Sequence, residues 1–272
     1  MLCPLHASSK LPCEMSVSER KRNRAGEMKS MQESTVTADS PKIDWKGDSN
    51  RSIDKIVLCY SAITDCDKDI VSQFKMLSGV KESKKWSSSV THVIASVDEN
   101  EACRRTLKIL MGILEGKWIL SVKWIKACID AKRLVDEEKY EITVDIHGIK
   151  DGPRLGRVRV LNKEPKLFHG LEFYFFGEFA TTYKRYLQDL ITAGGGIILH
   201  RKPFVADQSR PSTFIIYNLE LPVKHDPSQK DMLLNKRISE ANALANSTGA
   251  VAASNTWIIN SVAACQLQII EE

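Results

Sequence analysis

One order of elements is written twice in this chain, and that duplication limits the fold more than any single motif does. Ser121-x2-Trp124-Ile125 in the first half returns as Ser254-x2-Trp257-Ile258 in the second. Around each landmark, short continuous apolar runs alternate with helical spacing. In the first half, residues 55–60 read as a buried strand. Thr64 or Asp67 can cap a following helix with Ile70, Phe74 and Leu77 on its apolar face, and Gly79 ends it. Residues 90–95 predict the next strand. Residues 101–115 predict a helix with Ala102, Leu107, Leu110, Met111 and Leu114 apolar, stopped by Gly116. Residues 118–120 form a short strand, and Ser121 caps a last helix that carries Trp124, Ile125, Cys128 and Ile129.

The second half repeats this order. Residues 171–176 predict a strand, and residues 183–193 a helix with Tyr183, Leu187, Leu190 and Ile191 on one face, ended by Gly194-Gly195-Gly196. Strands at 197–199 and 213–217, a short helix at 238–246 and a strand at 250–252 follow, and Ser254 caps a final helix. Strands mixed with helices in this order predict an α/β fold, with a small parallel sheet flanked by helices in each repeat. The first repeat is assigned to residues 53–140 and the second to 166–272. Residues 141–165, with Gly148, Gly152, Pro153 and Gly156, read as a linker. Residues 1–52 are polar and without hydrophobic period, and are expected to form a disordered leader. Within it, Arg20-Lys21-Arg22-Asn23-Arg24 reads either as a nuclear import signal or as a solvated charge run.

Composition narrows the function. Hydrophobic residues at 43% and charged residues at 27% allow a sizeable core without a structural metal. A net charge of +5 permits acidic partners without arguing for DNA binding. Seven scattered cysteines, an odd number, suit a reducing compartment. No apolar run approaches the ~20 residues that span a bilayer, so no membrane role is expected. No Walker motif or complete metal site is present, and no Ser-His-Asp order fits the strands. Cys103 lacks a placed base, and Gly194-Gly195-Gly196 ends a helix instead of opening one. No catalytic residue is expected. Trp124 and Trp257 read as core, and His92 as a structural histidine with its hydrogen bonds satisfied.

The strand and helix that end at Gly79, the Thr91-His92-Val93 strand and the tryptophan of the last helix together resemble a BRCT repeat. Gly177, Gly195-Gly196, Phe214-Ile215-Ile216 and Trp257 carry the same resemblance in the second half. It covers residues 53–270. Arg105-Thr106-Leu107-Lys108, Gly116-Lys117-Trp118-Ile119-Leu120, Glu138-Lys139-Tyr140-Glu141-Ile142 and Pro165-Lys166-Leu167-Phe168 narrow it further. They are similar to the tandem at the C-terminus of plant RING-bearing DNA-repair proteins.

The resemblance implies a nuclear, non-enzymatic module. It would bind phosphoserine peptides of phosphorylated nuclear proteins in the DNA damage response and homologous-recombination repair. An alternative implied role is docking on a nucleosome or ubiquitinated histone, or on poly(ADP-ribose). A RING-domain heterodimer partner would join through a region upstream.

Ser61 follows the first strand at the mouth of a helix. There a hydroxyl and the N–H of Ala62 make an anion site. The resemblance adds Thr106 and Lys108 to this phosphate-binding set, and implies surface positions for Ser61 and Lys108. Glycine is usual where Ala62 stands, and the backbone donor is expected to survive with a negative φ. A peptide groove between the repeats is implied for Arg105, Leu110, Thr182, Asn255 and Ile259. The implied seam packs the first repeat's second helix on the second repeat's first and last helices. The repeats need no cofactor. Cys3 and His6, with Cys13 a weaker third, resemble the closing end of an extended PHD zinc finger. Its zinc would be held only in the intact upstream finger.

Overall fold

Short apolar runs become strands wherever they can be buried on both faces, and the chain does this in two places. The computed structural model describes residue 45 and residues 52–204, 212–221 and 227–270. The first repeat runs β1 (Val57–Ser61), α1 (Asp65–Ser78), β2 (Lys81–Glu82), β3 (His92–Ala95), β4 (Ala102–Cys103), α2 (Leu107–Leu114), β5 (Trp118–Ser121) and α3 (Val122–Ala131). β6 (Val144–Asp145) and α4 (Gly152–Leu161) follow. The second repeat runs β7 (Leu171–Phe175), α5 (Thr181–Ala193), β8 (Ile197–Leu199), β9 (Ser212–Tyr217), α6 (Lys230–Thr248), β10 (Val251–Ser254) and α7 (Asn255–Ala264). The two main sheets have the orders β2-β1-β3-β5 and β8-β7-β9-β10, parallel throughout.

The duplication holds at the level of register. Ala95 pairs with Ser121, and Tyr217 pairs with Ser254, which follows Ser121 by 133 positions. The indole N–H of Trp124 donates to the Val135 carbonyl at 3.1 Å, and that of Trp257 to the Gln268 carbonyl at 2.8 Å. Both tryptophans are core, at 0% and 6% exposure, and His92 stacks on Trp124 while its Nδ1 meets the Thr91 hydroxyl at 2.8 Å.

The implied seam is present. α2 packs on α5 and α7, and Leu110, Ile113, Leu187, Leu190, Ile258 and Val262 share one buried core. A second core, under α1 and α3, gathers Leu58, Phe74, Ile94, Leu120 and Trp124.

Five local expectations change. The apolar face of α1 is set by Val71 and Phe74, while Leu77 lies outward at 37% exposure. The helix expected over 101–115 starts only after Thr106, because Ala102 and Cys103 pair with β6 as a strand. The helix expected over 238–246 extends from Lys230 to Thr248. Its buried side is only Ala241, Leu244, Ala245 and Thr248, too thin a stripe to mark its ends in sequence.

Residues 141–165 are not a bare linker. They hold β6 and α4, and α4 packs on both α2 and α7. Gly152 and Gly156 make that approach possible, since a side chain at either would meet backbone of the facing helix. Finally Trp45, inside the expected disordered leader, is 5% exposed. It meets Phe74 edge-on at 5.2 Å and donates its indole N–H to the Leu77 carbonyl. A lone aromatic in a polar stretch has no period to announce it. Among the described residues no helix is long and apolar enough to cross a membrane.

Candidate functional site

In an open parallel sheet, a crevice opens at the carboxyl ends of two neighbouring strands whose crossovers leave in opposite directions. β1 and β3 are such a pair: α1 leads from β1 out to β2, and α2 leads from β3 toward β5 on the other side. Ser61 is the last residue of β1 and Thr106 is the N-cap of α2, and their hydroxyl oxygens lie 2.6 Å apart. Thr106 Oγ1 also accepts from the Ile109 N–H at 3.4 Å. Lys108, in the first turn of α2, donates from Nζ to the Tyr60 carbonyl at 2.8 Å and to the Lys84 carbonyl at 2.9 Å. The ammonium is therefore fixed at the end of β1, one residue from Ser61. The sequence expectation put both side chains at the surface. Ser61 is buried, at 5% exposure, because the Thr106 hydroxyl closes over it, and Lys108 is half-buried.

The two helix N-termini at this crevice differ. α1 carries Asp65 and Asp67 in its first turn, and Asp67 accepts from the Thr64 and Ser96 hydroxyls. α2 has no acidic residue in its first turn, so its positive end is uncompensated.

Ala62 adopts φ +50°, against the expected negative φ. The chain must turn left-handed immediately after β1, and the alanine takes the conformation a glycine would take freely. Ala62→Gly is expected to stabilise the protein by about 0.5–1 kcal/mol, the strain relief exceeding the extra unfolded-state entropy. That is a rise of about 1–4 °C in Tm, readable by differential scanning calorimetry. An unchanged or lower Tm would show that the left-handed turn costs the alanine nothing.

Among the described residues the second repeat does not keep the serine of this site. Phe175 pairs with Ile216, so Phe176 stands where Ser61 does, and Gly177, at φ +77°, takes the place of Ala62. Phenylalanine offers no hydroxyl, so the second repeat lacks the donor at this place.

A groove of about 650 Å³ lies along the seam, lined by Arg105, His147, Ile149, Tyr183, Tyr186, Asn255, Ile259 and Asn260 among others. Arg105 bonds Asp145 Oδ2 through Nε at 2.8 Å and faces it through Nη2 at 2.6 Å, and Nη1 donates to Asn260 Oδ1 at 2.8 Å. One guanidinium thus ties the first repeat to the segment between repeats and to the second repeat. Asn255, at 1% exposure, accepts from the Leu219 N–H and donates to the Tyr183 hydroxyl at 2.7 Å. Tyr183 stacks on Tyr186 at 6.0 Å, and burial pushes its hydroxyl up to about 12, against the opposing Asn255 hydrogen bond.

Of the implied groove residues, Arg105, Asn255 and Ile259 reach this surface. Leu110 does not: it is fully buried in the seam, because the α2 face it occupies is the one that packs on the second repeat. Thr182 is exposed in the first turn of α5 and is not among the lining residues. Tyr183, Tyr186 and Asn260 were missed. The helical spacing of Tyr183 marked it only as apolar, and nothing in sequence showed that its hydroxyl meets Asn255 beside the groove. Cys3, His6, Cys13 and the Arg20–Arg24 cluster lie outside the described residues.

The BRCA1 C Terminus (BRCT) domain family matches residues 54–129. The BREAST CANCER SUSCEPTIBILITY 1 homolog of Arabidopsis thaliana is 47% identical, over 99% of this chain and 28% of that protein. BRCA1-associated RING domain protein 1 of Arabidopsis thaliana is 37% identical, over 98% of this chain and 37% of that protein. The human BRCA1-associated RING domain protein 1 is 40% identical over 54% of this chain and 18% of its own length. The chain thus spans well under half the length of each of these relatives. BRCT repeats are protein-interaction modules, not enzymes, and need no cofactor. By the matched domain, the duplicated parallel topology and these relatives, the chain is a tandem BRCT module.

Proposed function

We propose that the tandem binds phosphoserine peptides of nuclear proteins in the DNA damage response, through Ser61, the Ala62 N–H, Thr106 and Lys108. The observation that carries this reading is the convergence of Ser61, Thr106 and Lys108 at the switch point, with the acid-free N-terminus of α2 beside them. The two hydroxyls form one hydrogen-bonded pair. Thr106 accepts from the Ile109 N–H and shares a hydrogen bond with Ser61 in which either hydroxyl can donate; with Thr106 donating, the Ser61 proton is free for a phosphate oxygen. An ammonium has three donors, and the two already held by carbonyls leave one for the ligand. A phosphoserine brings close to two negative charges and three acceptor oxygens.

The seam groove supports an extended peptide beyond the phosphate, with Arg105, Asn255 and Ile259 along it. The DNA-repair relatives support a place in homologous-recombination repair and a nuclear location. A RING-domain partner joined through an upstream region is supported only by those relatives.

Fluorescence anisotropy with paired phosphorylated and unphosphorylated serine peptides tests the reading. Binding at least tenfold tighter to the phosphorylated member is expected. Equal affinity for both would overturn it and favour docking on a nucleosome surface.

A further inference from the structure

One wall of the seam groove comes from the segment between the repeats, which lines it through His147 and Ile149. That wall is folded around a single carboxylate. Asp145 Oδ1 accepts from the His147 N–H at 2.8 Å and from the Ile149 N–H at 3.1 Å. The Asp145 N–H donates back to the Ile149 carbonyl at 3.0 Å, and the Gly148 N–H to the Asp145 carbonyl at 2.9 Å. An aspartate that bonds the backbone two and four residues on holds a tight turn closed. β6 carries this turn, and the Ile146 N–H pins it to the Cys103 carbonyl beside Arg105 at 3.0 Å.

The other oxygen of the same carboxylate holds the groove arginine. Oδ2 lies 2.8 Å from Arg105 Nε and 2.6 Å from Nη2, with the two side chains at 8% and 10% exposure. Among the described residues no other carboxylate pairs with Arg105. Its remaining partner is the neutral Asn260, through Nη1. Held at both edges, the guanidinium has its plane fixed, and its five N–H donors are not exhausted. Arg105 lines the groove, whereas Asp145 is buried behind it and does not.

On the reading that this groove takes the peptide, we propose that Asp145 is its positioning residue. One oxygen shapes the His147–Ile149 wall and the other orients Arg105, so wall and arginine keep one relation before any peptide arrives. An arginine side chain left free would have to be ordered at each binding event, and that cost would come out of the affinity. Asp145 therefore acts on the peptide through Arg105, without touching it.

The test uses the whole chain and fluorescence anisotropy with two phosphoserine peptides. The short one has one neutral residue on each side of the phosphoserine, and the long one has about five, enough to reach the groove. Wild type is expected to bind the long peptide about tenfold more tightly. Asp145→Asn keeps the shape and the oxygen that holds the turn, but turns an N–H2 toward the guanidinium. It should weaken the long peptide about fivefold or more and leave the short one unchanged. Its Tm should fall, because the Arg105 charge stays buried without a partner. In the double variant Arg105→Gln/Asp145→Asn both charges are gone, and much of the Tm should return. Its long-peptide affinity should stay at the level of Arg105→Gln alone, since the two residues act as one unit. In wild type the Arg105 Nε–H should exchange slowly with solvent by ¹⁵N NMR, and in Asp145→Asn quickly. Fast exchange in wild type would overturn the positioning role, as would losses that simply add in the double variant. Equal wild-type affinity for the two peptides would remove the groove reading and the positioning role together. A long-peptide preference that survives in Asp145→Asn would remove the positioning role alone.

Discussion

Lys108→Met is expected to weaken phosphoserine-peptide binding by about 10- to 100-fold, since a charge-assisted hydrogen bond contributes roughly 1.5–3 kcal/mol. Methionine keeps the length of the stem and removes the charge. The unphosphorylated peptide should bind wild type and variant alike, so the loss should appear only as lost discrimination. Raising the salt concentration should erode the wild-type preference more than that of the variant, because part of the attraction is between charges. The substitution also frees the Tyr60 and Lys84 carbonyls, which Lys108 holds at 2.8 and 2.9 Å. Stability should fall by only about 1 kcal/mol, since Lys108 is half-buried and water can reach its partners. Ser61→Ala should cost less affinity, because the ammonium and the α2 amides remain. An undiminished phosphopeptide affinity in Lys108→Met, with Tm within a few degrees of wild type, would remove the phosphate from this crevice.

The parts of this site that sequence revealed are those fixed by short-range rules. Ser61 ends a strand whose apolar run is continuous, whereas Thr106 and Lys108 entered only through the family resemblance, the helix expected over 101–115 having placed them in its interior and not at its head. The doubled Ser-x2-Trp-Ile landmark predicted two equivalent sheets, and their registers match. What stayed hidden depends on contacts far apart in the chain. The burial of Ser61 arises from a hydroxyl 45 positions away, and the Arg105 latch joins residues 155 positions apart. Leu110 was misplaced for a related reason. Spacing shows that a helix face is apolar, but not whether that face meets solvent, a ligand or another repeat. The left-handed Ala62 was illegible because alanine carries no sign of positive φ, whereas Gly177 at the matching place in the second repeat does.

Gly156→Ala is expected to destabilise the tandem by about 3 kcal/mol or more, the range of severe overpacking. A Cβ at Gly156 would lie 2.1 Å from the Ile113 carbonyl oxygen on α2, and one at Gly152 would lie 1.8 Å from the Ala263 carbonyl oxygen on α7. Both obstacles are backbone, so no side-chain rotation relieves them, and α4 must withdraw from the seam it completes. For a folded unit of this size the corresponding fall in Tm is about 6–12 °C. The sign of the change is the informative part. If residues 141–165 were a solvated linker with a loose helix, exchanging glycine for alanine would raise helix propensity and stabilise by up to about 1 kcal/mol. A packed α4 and a free one therefore give opposite signs for one substitution. Leu161→Ala is the matched control, because Leu161 sits on the same helix at 69% exposure and should shift stability by less than about 0.5 kcal/mol. Because α4 contacts both α2 and α7, its withdrawal should also loosen the Arg105–Asn260 tie and with it the seam groove. The Ser61 crevice lies within the first repeat and should keep its discrimination between phosphorylated and unphosphorylated peptides. A Gly156→Ala protein with raised Tm and unchanged peptide affinity would return residues 141–165 to the role of a simple linker.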